Sequence, residues 1–281
     1  MPSCVHDGRV TKPKPTPKRS SLRSLKRTKG LTESEQEQEQ EPDTSPLPLV
    51  ERTNQLALEE FISLHVPRDE LAFNISASTE NRATGNHDQD PFQRGLDYIL
   101  DIYTAESIPA ADFEACFNLI QLTSSSAYTG SSFGWSPSKK RKEMRLPDMR
   151  YMILRKGLRD VSPNPSGHPL GFLSFMVTYE DGKEVIYCYE IHLAPAVQGQ
   201  GLGEQLMRRF ENIGRRVGLE KAMLTVFKSN TQAMRFYDKL GYTEDEFSPK
   251  PRRLRNGLVK EPDYRIMSKP LREIDRNYTD S

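Results

Sequence analysis

Between Tyr187 and Gly203 the chain reads YCYEIHLAPAVQGQGLG, a segment that ends in three glycines at alternate positions, Gly199, Gly201 and Gly203. Without a Cβ at these positions, several backbone N–H groups can close around a polyanion such as a pyrophosphate. A helix starting there would add the positive end of its dipole. Glycines before a helix also serve plain tight turns, so the cluster alone allows a structural role. Spacing removes two nucleotide readings. A Walker loop carries Gly-Lys-Ser/Thr into its helix, whereas Gly203 is followed by Glu204 and Gln205; a dinucleotide fingerprint is Gly-x-Gly-x-x-Gly, whereas the spacing here is Gly-x-Gly-x-Gly. Groups able to handle charge stand just upstream, at Glu180, Tyr187, Tyr189 and Glu190.

Several elements must position these groups. The β-branched and aromatic run 187–193 predicts a strand, and Leu202, Leu206, Met207, Phe210, Ile213 and Val217 recur at helical spacing after the glycines. Glu180-Asp181-Gly182-Lys183 is a hairpin signal, because Asp-Gly accepts the positive φ angles of a tight primed turn; strand 170–180 should therefore pair with the Tyr187 strand. Downstream, 223–228 predicts a strand, and Asn230 opens a helix, N-x-x-A-x-x-F-Y, that closes at Leu240-Gly241-Tyr242. Upstream, NQLALEEFISLH (54–65) predicts one amphipathic helix ended by Pro67, 71–75 an extended segment and 78–90 a loop. Segments 92–103 and 109–128 are expected to be helices, the second capped by Ser107. The loop 129–137 holds the single Trp, Trp135, and is either a lid over core or one wall of a site; Lys139, Lys140, Arg141 and Lys142 follow it. Segment 151–154 reads as a strand, 162–169 as a loop, 247–262 as a basic linker and 264–268 as a last strand. This order, with a helix crossing between strands, implies a mixed α/β fold.

Composition fits one domain with polar flanks: 281 residues, mean hydropathy −0.70 and a net charge of only +1 that hides strong segregation. Residues 1–30 carry nine Lys/Arg against the single acid Asp7, and 33–43 are rich in Glu and Gln. The expected layout is a disordered tail over 1–48, a domain over 49–270 and a C-terminal tail over 271–281. The basic stretch suits a nuclear import signal, a ribosome or nucleic-acid contact, or a solubilising tail. No run approaches the ~18 apolar residues of a membrane span and no apolar core follows the basic N-terminus, so membrane insertion and secretion are not indicated. The expected location is nucleus and cytoplasm. Cys4, Cys116 and Cys188 follow no metal or disulfide spacing, which suits a reducing compartment, and Cys188 reads as core packing.

Gln198-x-x-Gly201-x-Gly203 resembles the Gln/Arg-x-x-Gly-x-Gly/Ala signature of the GCN5-related N-acetyltransferase (GNAT) superfamily. With YCYE before it and MLTVFK-x-N after it, the stretch resembles more specifically the N-alpha-acetyltransferase D (NatD) family. Val50-Glu51, Asn54-Gln55-Leu56, Tyr128, Gly134-Trp135, Ser248-Pro249 and Tyr264 extend that resemblance over roughly residues 50–270. The resemblance implies a mixed, mostly antiparallel sheet flanked by helices, acetyl-CoA as acetyl donor, and histone amino termini beginning Ser-Gly-Arg-Gly as acceptors. It also implies a monomer without a membrane partner. Implied cofactor-binding positions are Ile191, His192, Leu193, Gln198, Gly199, Gln200, Gly201, Leu202, Gly203, Glu204, Asn230 and Tyr237. Implied substrate-binding positions are Tyr128, Phe133, Trp135, Thr178, Tyr187, Tyr189, Thr225, Ser248 and Tyr264.

Acetyl transfer to an amine needs a held thioester, a neutral amine, and groups that stabilise the oxyanion and accept a proton. An α-amine has a reference pKa near ~8, so a modest bias from a carboxylate or water suffices. Glu180 and Glu190, on strands that the hairpin sets side by side, are the candidate catalytic carboxylates, with Tyr189 beside them; Glu180 also reads as a solvated hairpin residue. No Ser/Cys–His arrangement stands out, His192 reads as a surface strand residue, and direct attack by the amine is the simpler mechanism. Backbone N–H groups near Ile191 and Leu193 are the expected carbonyl-polarising donors. Two positions depart from the family: Thr178 replaces the first of its two acids, and Phe133-Gly134-Trp135 replaces Trp-Gly-Trp. Two other functions stay open, a lysine or polyamine acetyltransferase and an acyl-CoA-dependent binding module with weak catalysis.

Overall fold

A computed structural model describes residues 46–75, 96–157 and 167–272. Ten strands are present among them: β1 (Ala72–Ile75), β2 (Leu96–Thr104), β3 (Arg150–Lys156), β4 (Gly171–Glu180), β5 (Lys183–Leu193), β6 (Lys221–Phe227), β7 (Thr243–Glu244), β8 (Arg252–Arg253), β9 (Val259–Lys260) and β10 (Tyr264–Pro270). Six α-helices accompany them: α1 (Leu49–Asn54), α2 (Leu58–His65), α3 (Ala110–Thr129), α4 (Pro137–Glu143), α5 (Leu202–Val217) and α6 (Thr231–Lys239). The main sheet runs β1-β2-β3-β4-β5-β6-β10-β7 and is antiparallel except at β5–β6. That parallel pair is joined by α5, as a crossover requires.

The sheet separates two apolar cores. On one face α5 lays Leu206, Phe210 and Ile213 against Ile186, Cys188 and Ile191 of β5; on the other, α3 lays Phe113, Phe117 and Ile120 over a layer that includes Val185 and Tyr187. Burial on both faces explains why β3, β4 and β5 are nearly continuous apolar runs. Gly214 lets α5 sit close: a Cβ there would lie 2.5 Å from Leu271 Cδ1 and 2.8 Å from Ile186 Cγ2. The β4–β5 turn is the tight hairpin expected, with φ of 48° at Asp181 and 80° at Gly182.

Four expectations need correction. The segment 92–103 is not a helix: β2 occupies its described part, and Tyr98, Leu100 and Ile102 are buried at alternate positions, a period of two that a helical reading overlooks. The single helix over 54–65 is two, because Asn54 ends α1 with its side chain donating to Val177 O of β4 (2.9 Å), and α2 restarts after Ala57. Ser107 does not cap α3; its hydroxyl accepts from Thr104 N–H (2.9 Å) inside the preceding turn, and Pro109 occupies the cap position. The basic linker contains the β8–β9 hairpin. The loop at 78–90, most of the loop at 162–169, and the tails over 1–45 and 273–281 lie outside the described residues.

Candidate active site

The glycine turn precedes α5. Gly199 and Gly201 adopt φ of 77° and 78°, the left-handed region that costs other residues ~1–2 kcal/mol, and a Cβ at either would meet nothing within 4 Å. The space above them is therefore open, not filled by the protein. Gln205 N–H is the first of α5 to bond back, to Gly201 O (3.1 Å), which leaves the N–H groups of Leu202, Gly203 and Glu204 without intrahelical acceptors. They border a cleft of about 240 Å³ lined by Leu193, Gln198, Gly199, Gly201, Gly203, Glu204 and, from α6, Gln232, Phe236, Lys239 and Leu240. A pyrophosphate-bearing cofactor fits this donor set: N–H groups, a helix N-terminus and one cation, Lys239.

Not every expected cofactor residue turns toward the cleft. Gln200 Oε1 accepts from Tyr98 OH (3.1 Å), so its side chain is tied to β2. Asn230 Oδ1 caps α6 by accepting from Ala233 N–H (3.0 Å). Tyr237 is buried in the core between Phe236 and Tyr242, and it is Phe236 that lines the cleft. Phe236 belongs to the aromatic pair of the N-x-x-A-x-x-F-Y motif, whereas Gln232 and Lys239 escaped the sequence reading; three- and four-residue spacing along α6 on either side of Phe236 would have shown them sharing its face.

Two features of β5 shape the candidate site. First, the parallel ladder with β6 stops at Cys188 and Leu224, although β5 runs on to Leu193 and β6 to Phe227. The strands part beyond that point. Ala194 N–H bonds Leu170 O (2.7 Å), and antiparallel alternation then turns the N–H and C=O of Leu193 and Ile191 away from β4 toward the gap; Gln198 Nε2 reaches Leu193 O there at 3.3 Å. Second, the β4–β5 register slips: Phe175 faces Cys188 but Ser174 faces Glu190, so Tyr189 is an extra, bulged residue. Val185, Tyr187 and Tyr189 point to the α3 face. Without the bulge Ile191 and Leu193 would follow; with it Glu190 and His192 do, and Ile191 and Leu193 pack on the α5 face.

Glu190 is thereby buried, 1% exposed, at the centre of a polar chain. Its Oε1 accepts from Tyr128 OH (2.7 Å) and Lys140 Nζ (2.8 Å), and its Oε2 meets His192 Nε2 at 2.7 Å. Lys140 also donates to Tyr128 OH and to Glu143 Oε1, both at 2.7 Å, and His192 Nδ1 meets Thr123 Oγ1 at 2.6 Å. His192 is fully buried and is not the surface residue expected, and its ring belongs to this chain, away from the cleft. Burial alone would raise the Glu190 pKa, but the Lys140 charge and then His192 outweigh it and hold the carboxyl below its usual range. Burial likewise would lower Lys140, yet Glu190 and Glu143 hold it above its ordinary value. Glu143, in contrast, is pushed up by burial.

The signs give a stability expectation. A lowered Glu190 contributes stability present above its ordinary value of 4.5 and lost as pH falls through the folded value; a raised Lys140 contributes stability present below 10.5 and lost as pH rises through its folded value. The Tm difference between the protein and a Lys140→Met/Glu190→Gln variant should change as pH falls below about 4.5, to the disadvantage of the unsubstituted protein. A relative gain for the unsubstituted protein in acid would contradict the ion pair.

Aromatic side chains wall the same face. Tyr128 packs against Trp135 (5.6 Å between ring centroids) and Phe227 (5.2 Å), and Phe133 packs against Phe227 (5.8 Å) and Tyr264 (5.2 Å). Tyr187 and Tyr189 meet edge to face at 5.5 Å, and Tyr187 OH bonds Thr225 Oγ1 at 2.6 Å. The loop bearing Phe133 and Trp135 is clasped to the start of β10, where the Ser132 hydroxyl donates to Asp263 Oδ1 (2.9 Å) and the Ser132 N–H to Oδ2. Ser248 stands apart: its hydroxyl accepts from Ile266 N–H (3.2 Å) at the edge of β10. Thr178 and Glu180 share the α3 face with Met176, but the two candidate carboxylates are not side by side. Glu180 is opposite Lys183 and Glu190 opposite Ser174, six residues along β4, or ~20 Å.

Residues 119–242 match the acetyltransferase (GNAT) family. The chain is 31% identical over 157 residues to N-alpha-acetyltransferase 40 of Saccharomyces cerevisiae, a match that covers 49% of this chain and 54% of that protein. It thus spans about half the length of that curated relative. Similar solved structures include the ribosomal-protein-S18-alanine N-acetyltransferase from Escherichia coli, 20% identical over 64% of this chain and 98% of that one, with a TM-score of 0.42. Another is NAA60 of Arabidopsis thaliana in complex with a bisubstrate analogue, 10% identical over 61% and 97% of the two chains, also with a TM-score of 0.42. The residues that match the acetyltransferase (GNAT) family, 119–242, include the glycine turn, the bulged strand and the Tyr128–Lys140–Glu190 chain, within a chain that is similar to the yeast N-alpha-acetyltransferase 40 over about half its length.

Proposed function

We propose that this chain is an N-terminal α-amino acetyltransferase acting on the serine of histone amino termini that begin Ser-Gly-Arg-Gly, by direct attack of the amine. The observation that carries the reading is the bulge at Tyr189 on a strand that parts from β6 just beyond it. One short stretch of β5 thereby offers an ionised carboxylate to the aromatic face and the Ile191 and Leu193 N–H groups to the gap. Bound acetyl-CoA would supply the activated acetyl group, with its pyrophosphate on the glycine turn and the first N–H groups of α5. Ile191 and Leu193 N–H then act as dipoles aimed where carbonyl charge develops. Glu190 supplies negative potential for the α-ammonium, and its depressed basicity lets the amine's proton pass to water instead of being held. Tyr128, Phe133, Trp135, Tyr187, Tyr189, Thr225 and Tyr264 enclose the acceptor. Closure by the Ser132–Asp263 clasp favours an extended terminus over a lysine presented from an open surface. Histone amino termini, met in nucleus and cytoplasm, are the partners on this reading.

The ~20 Å between Glu190 and Glu180 divides their tasks. An amine held near Glu190 places the third residue of an extended peptide ~7 Å along the strand, from where an arginine side chain reaches toward Glu180. Thr178 lies on the same path and supplies no charge. Glu180→Gln should therefore raise KM about tenfold for a Ser-Gly-Arg-Gly peptide and leave kcat nearly unchanged. With alanine third in the peptide, the same substitution should have almost no effect, as a double-mutant cycle demands of true partners. An equal KM change on both peptides would remove Glu180 from arginine recognition, and absence of turnover on either peptide by the unsubstituted protein would remove the reading itself.

A further inference from the structure

We propose that Lys140 is a positioning residue, a buried cation that keeps Glu190 ionised and leaves its Oε2 as the oxygen available to the acceptor amine; this deepens the function proposed above and rests on it. Lys140 is 4% exposed although it sits in a run of four basic residues, and α4 is started by Ser136 and Pro137 so that this one side chain turns inward. All three of its ammonium protons are used, on Tyr128 OH, Glu190 Oε1 and Glu143 Oε1. Tyr128 accepts from Lys140 and donates to Glu190, so the two donors fill both acceptor positions of Oε1. Among the described residues Oε2 meets His192 alone and keeps one acceptor position. The Thr123 hydroxyl donates to Leu119 O (2.7 Å) and therefore accepts from His192 Nδ1–H, which puts the proton of the next bond between His192 Nε2 and Oε2.

The groups that face Glu190 come from four elements: Tyr128 on α3, Lys140 and Glu143 on α4, His192 on β5 and Tyr151 on β3. Lys140 is the one permanent cation among them. Take it away and a fully buried carboxyl beside a second acid keeps only the His192 contact against its burial, which moves the balance toward the neutral form. A neutral Glu190 no longer attracts an ammonium, so the effect should surface as a shifted pH profile and not only as lost stability.

The test follows the Glu190 carboxyl by ¹³C NMR in the full chain, without acceptor, and in parallel the acid limb of kcat/KM for a Ser-Gly-Arg-Gly peptide. In Lys140→Met and Lys140→Gln the carboxyl midpoint should rise by about one pH unit or more, and the acid limb should rise with it, while the acetyl-CoA Kd stays within about twofold. An unmoved midpoint in both variants overturns the proposal. If the unsubstituted protein shows no peptide turnover, the functional reading fails, yet the NMR midpoint still decides the role of Lys140. Should the single variants fail to fold, Lys140→Met/Glu190→Gln should restore a cooperative melt; a double variant that also fails to fold would mark Lys140 as packing rather than charge and overturn the proposal.

Discussion

Glu190→Gln is expected to lower kcat for peptide acetylation by about two orders of magnitude or more while acetyl-CoA binds as before. The amide keeps the shape of the carboxylate and can still accept from Tyr128 and Lys140, so the aromatic wall should hold its place. What disappears is the carboxylate charge at the bulge, where on this reading the acceptor amine lies within reach of the gap between β5 and β6. The cofactor cleft lies on the other side of the strand, bordered by Leu193, which explains the expected indifference of acetyl-CoA. Calorimetry for the cofactor and steady-state kinetics for the peptide separate the two effects. Wild-type kcat in Glu190→Gln would mean that the carboxylate serves the fold alone.

Gly201→Ala should weaken acetyl-CoA binding about tenfold or more, for two separable reasons. The left-handed φ of 78° costs alanine ~1–2 kcal/mol, and its Cβ would project into the open space above the turn. Gly201→Asn distinguishes them, since asparagine tolerates that conformation far better than alanine does yet still fills the space. Both variants should lose binding and keep a Tm within a few degrees of the parent. Binding that returns in Gly201→Asn would assign the glycine to backbone strain and remove it from the cradle.

Legibility from the sequence depended on how local each cause was. The hairpin at Asp181-Gly182 and the glycine turn were readable because a positive φ is a property of a residue and its neighbours. So was α5, whose apolar stripe is complete within its own length. Strand β2 was misread because a run such as LDYILDIYT satisfies a helical count as easily as an alternating one, and only pairing between β1 and β3 decides. The bulge is invisible in YCYE, since the extra residue exists only relative to Ser174 and Phe175 across the ladder. The same holds for Lys140. Lys139, Arg141 and Lys142 surround it and look alike in sequence, and what singles out Lys140 is contact with Tyr128 and Glu190, 12 and 50 residues away. A lone histidine on a strand beside the glycine turn reads as a surface residue, whereas Thr123, which holds His192 inside, is 69 residues away.

The most direct test is where the acetyl group goes. A synthetic peptide beginning Ser-Gly-Arg-Gly and carrying lysines further along should be incubated with the protein and acetyl-CoA, and its product mapped by fragmentation mass spectrometry. The account predicts a single acetyl on the serine α-amine, and no product from the same peptide with its amino terminus blocked in advance. Acetyl on a lysine ε-amine of the blocked peptide, at a rate equal to that of the free one, would contradict an acceptor site built for a chain terminus.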